Sequence, residues 1–205
     1  MIKAIIFDWG GVLIENPAPG IMEYCANTLK VNIKLLKDAF SEYESTFQKG
    51  KISENELWHR ICAELNIEEP RIDSLWKDAV KHAFKDKTQT YNLVKLLKKQ
   101  GYKTGFLSNT EIPAREYFFE KGYEKYFDMT TFSCIEGTVK PETKIYEIAL
   151  NKLKIKPHES LFIDDKPECI EGAKKVGMNG IVFKTFDQVV KDLKSFSVEI
   201  DTDKI

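Results

Sequence analysis

Five short apolar runs recur between helical stretches, and that alternation constrains the fold more than any other feature of the chain. The runs are residues 2–7 (IKAIIF), 103–107 (KTGFL), 129–134, 160–163 (SLFI) and 180–183 (GIVF). Between the later ones lie helical patterns: Leu93, Val94, Leu96 and Leu97 closed by Gly101, residues 113–121, residues 145–153, and residues 170–176 stopped by Gly177. Strands joined through helices pair in parallel, and a parallel sheet has helices on both faces. The expectation is an α/β fold.

One interval breaks the alternation. From about Pro17 to Lys87 no strand-like run occurs, and apolar residues fall at helical spacing. Met22, Cys25, Ala26 and Leu29 share one face, Leu36, Ala39, Phe40, Tyr43 and Phe47 a second, Leu57, Ile61 and Leu65 a third, and Leu75, Ala79 and Phe84 a fourth. Ser53 and Glu56, after the turn Lys49-Gly50-Lys51, are spaced as a capping box. The plan is therefore a core of residues 1–15 and 88–205 with an inserted helical bundle at 16–87. A length of 205 residues suits one such domain with its insert, and 42% hydrophobic content supplies a core that a disordered chain lacks. The polar tail at 199–205 is expected to fray.

Charge excludes some partners. Lys and Arg total 31 against 32 Asp and Glu, so no basic field invites nucleic acid, and Lys95, Lys98 and Lys99 read as a solvated helix face. No apolar run approaches the roughly 18 residues of a membrane span, and the N-terminus opens into a strand, unlike a signal peptide. Cys25, Cys62, Cys134 and Cys169 are widely spaced without a CxxC pair. They are expected to be structural thiols of a reduced, cytoplasmic protein.

Ligands of parallel sheets bind at the carboxyl ends of the strands. Those ends carry Asp8 followed by Gly10 and Gly11, then Ser108-Asn109, the segment at Lys140, and Asp164-Asp165. Two carboxylates 4 Å apart repel by roughly 4 kcal/mol at an effective dielectric near 20, so three call for a divalent cation, and hard oxygen donors suit Mg²⁺. Lys140 offsets further charge. Ser108 and the backbone near Gly10 and Gly11 are suited to holding phosphoryl oxygens. Each piece alone is an ordinary turn or cap; their order and common placement give them meaning.

Asp8 in FDWGGVL, Ser108-Asn109 in GFLSNT, Lys140 in VKPE and Asp164-Asp165 in LFIDD resemble, in order, the four motifs of the haloacid dehalogenase-like (HAD) hydrolase superfamily. The helical insert resembles its C1 cap. Within the superfamily SNT, KPE and the GKIS turn look most similar to sugar-1-phosphatases such as α-D-glucose-1-phosphatase, and to the phosphatase-like domain of soluble epoxide hydrolases. The resemblance implies a Rossmann-like core and a Mg²⁺-dependent phosphatase acting on a small phosphorylated metabolite, a sugar phosphate being one class. It implies Asp8 as nucleophile, Mg²⁺ on Asp8, the Gly10 carbonyl, Asp164 and Asp165, Ser108 and Asn109 at the phosphoryl group, and Lys140 as its charge partner.

One departure matters. Phosphatases of this superfamily mostly carry a second Asp two residues after the nucleophile, as acid and base; here that position is Gly10. General acid–base catalysis is worth about 10²–10⁴-fold. Three readings stand: a phosphatase using an easily expelled leaving group or another acid, with Glu15, His59 and Glu111 as candidates; a metal-free 2-haloacid dehalogenase, which needs no proton donor; and a non-catalytic phospholigand-binding protein. The turn Lys49-Gly50-Lys51, with Phe47 and Trp58, is expected either to reach the substrate or to be a plain interhelix turn.

Overall fold

The computed structural model describes residues 1–200. The chain runs β1 (Ala4–Phe7), α1 (Ala18–Leu29), α2 (Ile33–Gln48), α3 (Glu54–Leu65), α4 (Leu75–Ala83), α5 (Thr88–Lys99), β2 (Lys103–Ser108), α6 (Ile112–Glu120), β3 (Met129–Phe132), α7 (Ser133–Glu136), α8 (Thr143–Leu153), β4 (Ser160–Asp164), α9 (Pro167–Lys175), β5 (Asn179–Val182) and α10 (Phe186–Ser195). All strands are parallel, in the order β3-β2-β1-β4-β5. The chain lays β2 and β3 on one side of β1 and then crosses to β4 and β5 on the other, a reversal that opens a crevice at the carboxyl end of β1.

Alternate residues of β1 face opposite ways, as the pleat requires. Ile5 and Phe7 join an apolar cluster with Phe106, Phe118 and Ile163 that continues into α1–α4, while Ala4 and Ile6 pack with Phe162, Ile145 and Ile170 under α8 and α9. Helix starts follow local chemistry: Asn32 accepts from Lys34 N and caps α2, Ser53 accepts from Glu56 N and caps α3, and Thr185 with Gln188 closes α10 in a capping box.

The chain enters and leaves the four-helix unit side by side. Glu15 N donates to Lys85 O at 2.9 Å and Lys87 N to Leu13 O at 2.8 Å, around a bridge between Ile14 and Asp86.

Three details differ from the sequence reading. The run at 129–134 leaves the sheet at Phe132, because Ser133 turns inward, its hydroxyl donating to Gln48 O at 2.7 Å and accepting from Thr110 N at 2.8 Å; Cys134 is therefore helical. Helix α10 was not anticipated, although Val189, Val190 and Leu193 bury one face. At the tail, Val198 and Ile200 are buried, so the expected fraying does not begin at 199; residues 201–205 lie outside the described residues.

Candidate active site

The central strand delivers Asp8 to the crevice. Asp8 N still donates to Ile163 O at 2.9 Å, so the carboxylate is fixed by the sheet itself. The chain then turns sharply: Trp9 O accepts from Val12, Leu13 and Ile14 N–H groups, and the indole of Trp9 is buried edge-on against Phe84, Phe106 and Phe118. Trp9 anchors a loop that must not drift, which explains an aromatic beside the nucleophile candidate. Gly11 has φ +77°, and a Cβ there would stand 2.3 Å from Asp165 Oδ2. The Asp165 carboxylate occupies the space over this glycine. Gly11→Ala is expected to cost about 1–3 kcal/mol of stability, measured by denaturation.

Lys140 lies between two carboxylates. Its Nζ is 2.7 Å from Asp8 Oδ1 and 2.6 Å from Asp164 Oδ2, all three groups being buried. Asp164 Oδ1 accepts from Lys166 N at 2.8 Å. Asp8 Oδ1 has the ammonium beside it but no aligned hydrogen-bond donor. One buried ammonium cannot neutralise two carboxylates, and burial aided by Asp164 pushes Asp8 up to about 6. Burial opposes the charge on Lys140, but Asp164 and Asp8 outweigh it and hold its pKa above the ordinary value. Asp165, half exposed, is raised by burial and by Asp164.

Oxygens of Asp8, Asp164 and Asp165 lie within 4.8 Å of one another. Hard donors, an unaligned buried carboxylate oxygen and a shortage of positive charge fit a divalent cation such as Mg²⁺.

Asn109 holds the Lys140 segment in place. Its Nδ2 donates to Lys140 O at 3.0 Å and its Oδ1 accepts from Lys140 N at 2.8 Å, a two-way amide clasp. Ser108, buried at the end of β2 two residues past Phe106, the ladder partner of Phe7, lines the same cavity as Asp8. Thus Asp8, Gly10, Gly11, Ser108, Asn109, Lys140, Asp164 and Asp165 all gather at one sheet edge. Lys87, absent from the sequence reading, donates from Nζ to Gly11 O and pins the glycine loop from the far side. No motif marks it; only the return of the chain at residues 85–87 places it there.

Above these residues opens a cavity of about 440 Å³. Its charged floor is Asp8, Lys140 and Asp165; Ile14, Ile21, Met22, Phe40, Trp76 and Phe84 give an apolar wall; Lys37, Ser41 and Glu44 stand at the mouth. A side chain at Gly10 would meet Pro17, whose Cδ lies 3.3 Å from the position of a Cβ.

The three candidate substitute acids separate cleanly. Glu15 is exposed beside Lys85, and His59 is exposed and paired with Glu69 at 2.8 Å. Neither lines the cavity. Glu111 does, and it is buried. Of the three candidates it alone is brought to the cavity: Trp76 Nε1 donates to its Oε2 at 3.2 Å, and burial pushes it up to about 7.

The turn Lys49-Gly50-Lys51 docks on the core and does not enter the cavity. Lys49 pairs with Glu142 at 2.6 Å, and a Cβ on Gly50 would stand 2.2 Å from Cys134 O. Phe47 and Trp58 are core aromatics. All four cysteines are free and buried. Among the described residues no helix is long and apolar enough to cross a membrane.

The profile of the haloacid dehalogenase-like hydrolase family matches residues 2–177. A sesquiterpene phosphatase of Aspergillus oryzae is 30% identical over 182 residues, which are 87% of this chain and 88% of that protein. Among solved structures, a HAD family enzyme of Bacteroides thetaiotaomicron, complexed with magnesium and inorganic phosphate, superposes with a TM-score of 0.77 at 21% identity, covering 92% of this chain and 99% of its own. A 2-haloacid dehalogenase of Pseudomonas syringae gives 0.69 at 18% identity, covering 96% and 100%. At such identities both show a shared fold.

Proposed function

The chain belongs to the haloacid dehalogenase-like hydrolase family, and from that premise we propose that it is a Mg²⁺-dependent phosphatase of small molecules, acting through a phosphoryl group carried on Asp8. The observation that supports this best is the trio of Asp8, Lys140 and Asp164 at the end of the central strand, with Asp165 alongside. Asp8 would attack phosphorus, Lys140 would balance the charge on the phosphoryl oxygens, and Ser108 would donate to one of them. Asn109 keeps the Lys140 segment in register. Asp8, Asp164, Asp165 and the Gly10 carbonyl would hold the cation. When bound, Mg²⁺ supplies positive charge against the phosphoryl oxygens and draws the carboxylates together. In this reading residues 16–87 are a C1-type cap on a core of 1–15 and 88–205, and the four buried thiols suit a cytoplasmic location.

The substrate is a phosphate monoester with an apolar body. The sugar phosphate expected from sequence rested partly on the GKIS turn, which lies against the core, and a sugar would set part of its hydroxyl surface against the apolar wall of Ile21, Met22, Phe40 and Trp76. The Aspergillus relative is named a sesquiterpene phosphatase. A dehalogenase is the weaker reading because three converging carboxylates have no purpose without a cation. The test is phosphate release from prenyl, aryl and sugar phosphates, with Mg²⁺ and with chelator. Release that needs Mg²⁺ and is roughly 10-fold or more faster on the apolar esters is expected, a difference of about 1.4 kcal/mol. Equal or faster release from sugar phosphates would reverse the substrate class. No release from any ester would move the assignment to haloacid turnover or to phospholigand binding.

A further inference from the structure

One buried acid has no task in that scheme. Glu111 is eight per cent exposed and faces the same cavity as Asp8; it stands three residues beyond Ser108, so its Cα lies within about 11 Å of the Ser108 Cα. We propose that Glu111 protonates the departing alcohol and then activates water, in place of the side chain that Gly10 lacks; the proposal rests on the phosphatase reading.

Several independent features aim this carboxyl. Trp76 Nε1 holds Oε2 from the helical side, and the Gln48 side chain contacts it from α2. The residue before it is tied down through Thr110 N to Ser133 Oγ, which also grips Gln48 O, so both walls of the acid move together. Space at position 10 is tight toward Pro17, and the other two candidates are exposed to solvent. The ionisable groups facing Glu111 are Glu44 from α2 and Cys134 from α7, neither of them cationic, with Asp8 and Lys140 across the cavity floor. Such surroundings keep the acid protonated to about pH 7, as a donor requires.

The steps balance. Asp8 Oδ bonds to phosphorus as the ester P–O bond breaks, and the alkoxide takes the Glu111 proton, leaving an aspartyl phosphate, a free alcohol and a Glu111 carboxylate. Glu111 then removes a proton from water as water attacks phosphorus and the bond to Asp8 breaks. Inorganic phosphate, the Asp8 carboxylate and protonated Glu111 result.

The experiment measures kcat/KM with Mg²⁺ for phenyl phosphates of graded leaving-group acidity, across pH 5–9, for native protein and Glu111→Gln. Native protein is expected to show a shallow dependence on the leaving group and a fall on phenyl phosphate as pH rises above about 7. Glu111→Gln is expected to lose on the order of 10²-fold on phenyl phosphate, at least tenfold less on p-nitrophenyl phosphate, and to lose the alkaline fall. Equal losses on both esters would overturn the proposal, since a structural role does not sense the leaving group. A steep leaving-group dependence in native protein would overturn it without any variant. If native protein releases nothing from any phosphate ester with Mg²⁺, the phosphatase reading falls and carries this one down.

Discussion

Asp8→Asn is expected to stop Mg²⁺-dependent phosphate release while leaving the metal-free fold firmer than native. A carboxamide is no nucleophile toward phosphorus, and removing an enzyme's nucleophile costs on the order of 10⁶-fold; the readout is loss to background. Stability runs the other way. Asp8 sits near 6 in the fold against 3.8 for a free side chain, so its ionisation opposes folding as pH rises through that window. Above pH 6, in chelator, the asparagine variant should gain up to about 3 kcal/mol over native, and the gain should vanish below about pH 4. Denaturant titrations at pH 4 and pH 8 check both signs. Adding Mg²⁺ should shrink the difference at pH 8, because native protein gains more from the cation. An active Asp8→Asn protein would remove Asp8 from the mechanism.

Lys140→Met has the largest expected structural effect. The ammonium is the shared partner of Asp8 and Asp164, and its removal leaves two carboxylates facing each other in a buried site. Breaking a buried ion pair from one side costs about 3–5 kcal/mol, here assigned to the metal-free protein. Mg²⁺ should restore part of that loss, since a cation between the carboxylates supplies charge that the lysine gave. Turnover should fall roughly 10²–10³-fold even with saturating Mg²⁺, because the phosphoryl oxygens lose a fixed positive partner. Denaturation with and without Mg²⁺ separates the two roles. A stability loss below about 1 kcal/mol without metal would mean that the pair is not the bridge described.

The sheet and its acidic edge are legible in the sequence because parallel strands all end on one side, so any polar residue closing an apolar run is brought to the same place. Asp8, Ser108, Lys140 and Asp164 need no tertiary knowledge beyond that rule. Glu111 is different. Its burial is made by Trp76, 35 residues earlier, and by Gln48, so nothing in the neighbouring sequence distinguishes it from a solvated helix start. Lys87 escapes for the same reason: its partner is a backbone carbonyl 76 residues away. The cap turn misleads in the opposite sense, since two lysines around a glycine look like a reaching loop until Glu142 is seen beside Lys49. The loss of the strand at Ser133 is likewise a tertiary decision, taken by two hydrogen bonds to other segments.

The bridge between Ile14 and Asp86 also bears on how the chain reaches this shape. β1 is central, and its first partner is far downstream: Ala4 aligns with Lys103, 99 residues on. Helices α1–α4 form from local contacts, and once they hold Ile14 against Asp86 the loop left to close between Ala4 and Lys103 shrinks to roughly 27 residues. Closing the shorter loop is cheaper in chain entropy by about 1 kcal/mol. The inserted helices would thereby serve as a clamp during assembly, bringing the strand that carries Asp8 within reach of its neighbour.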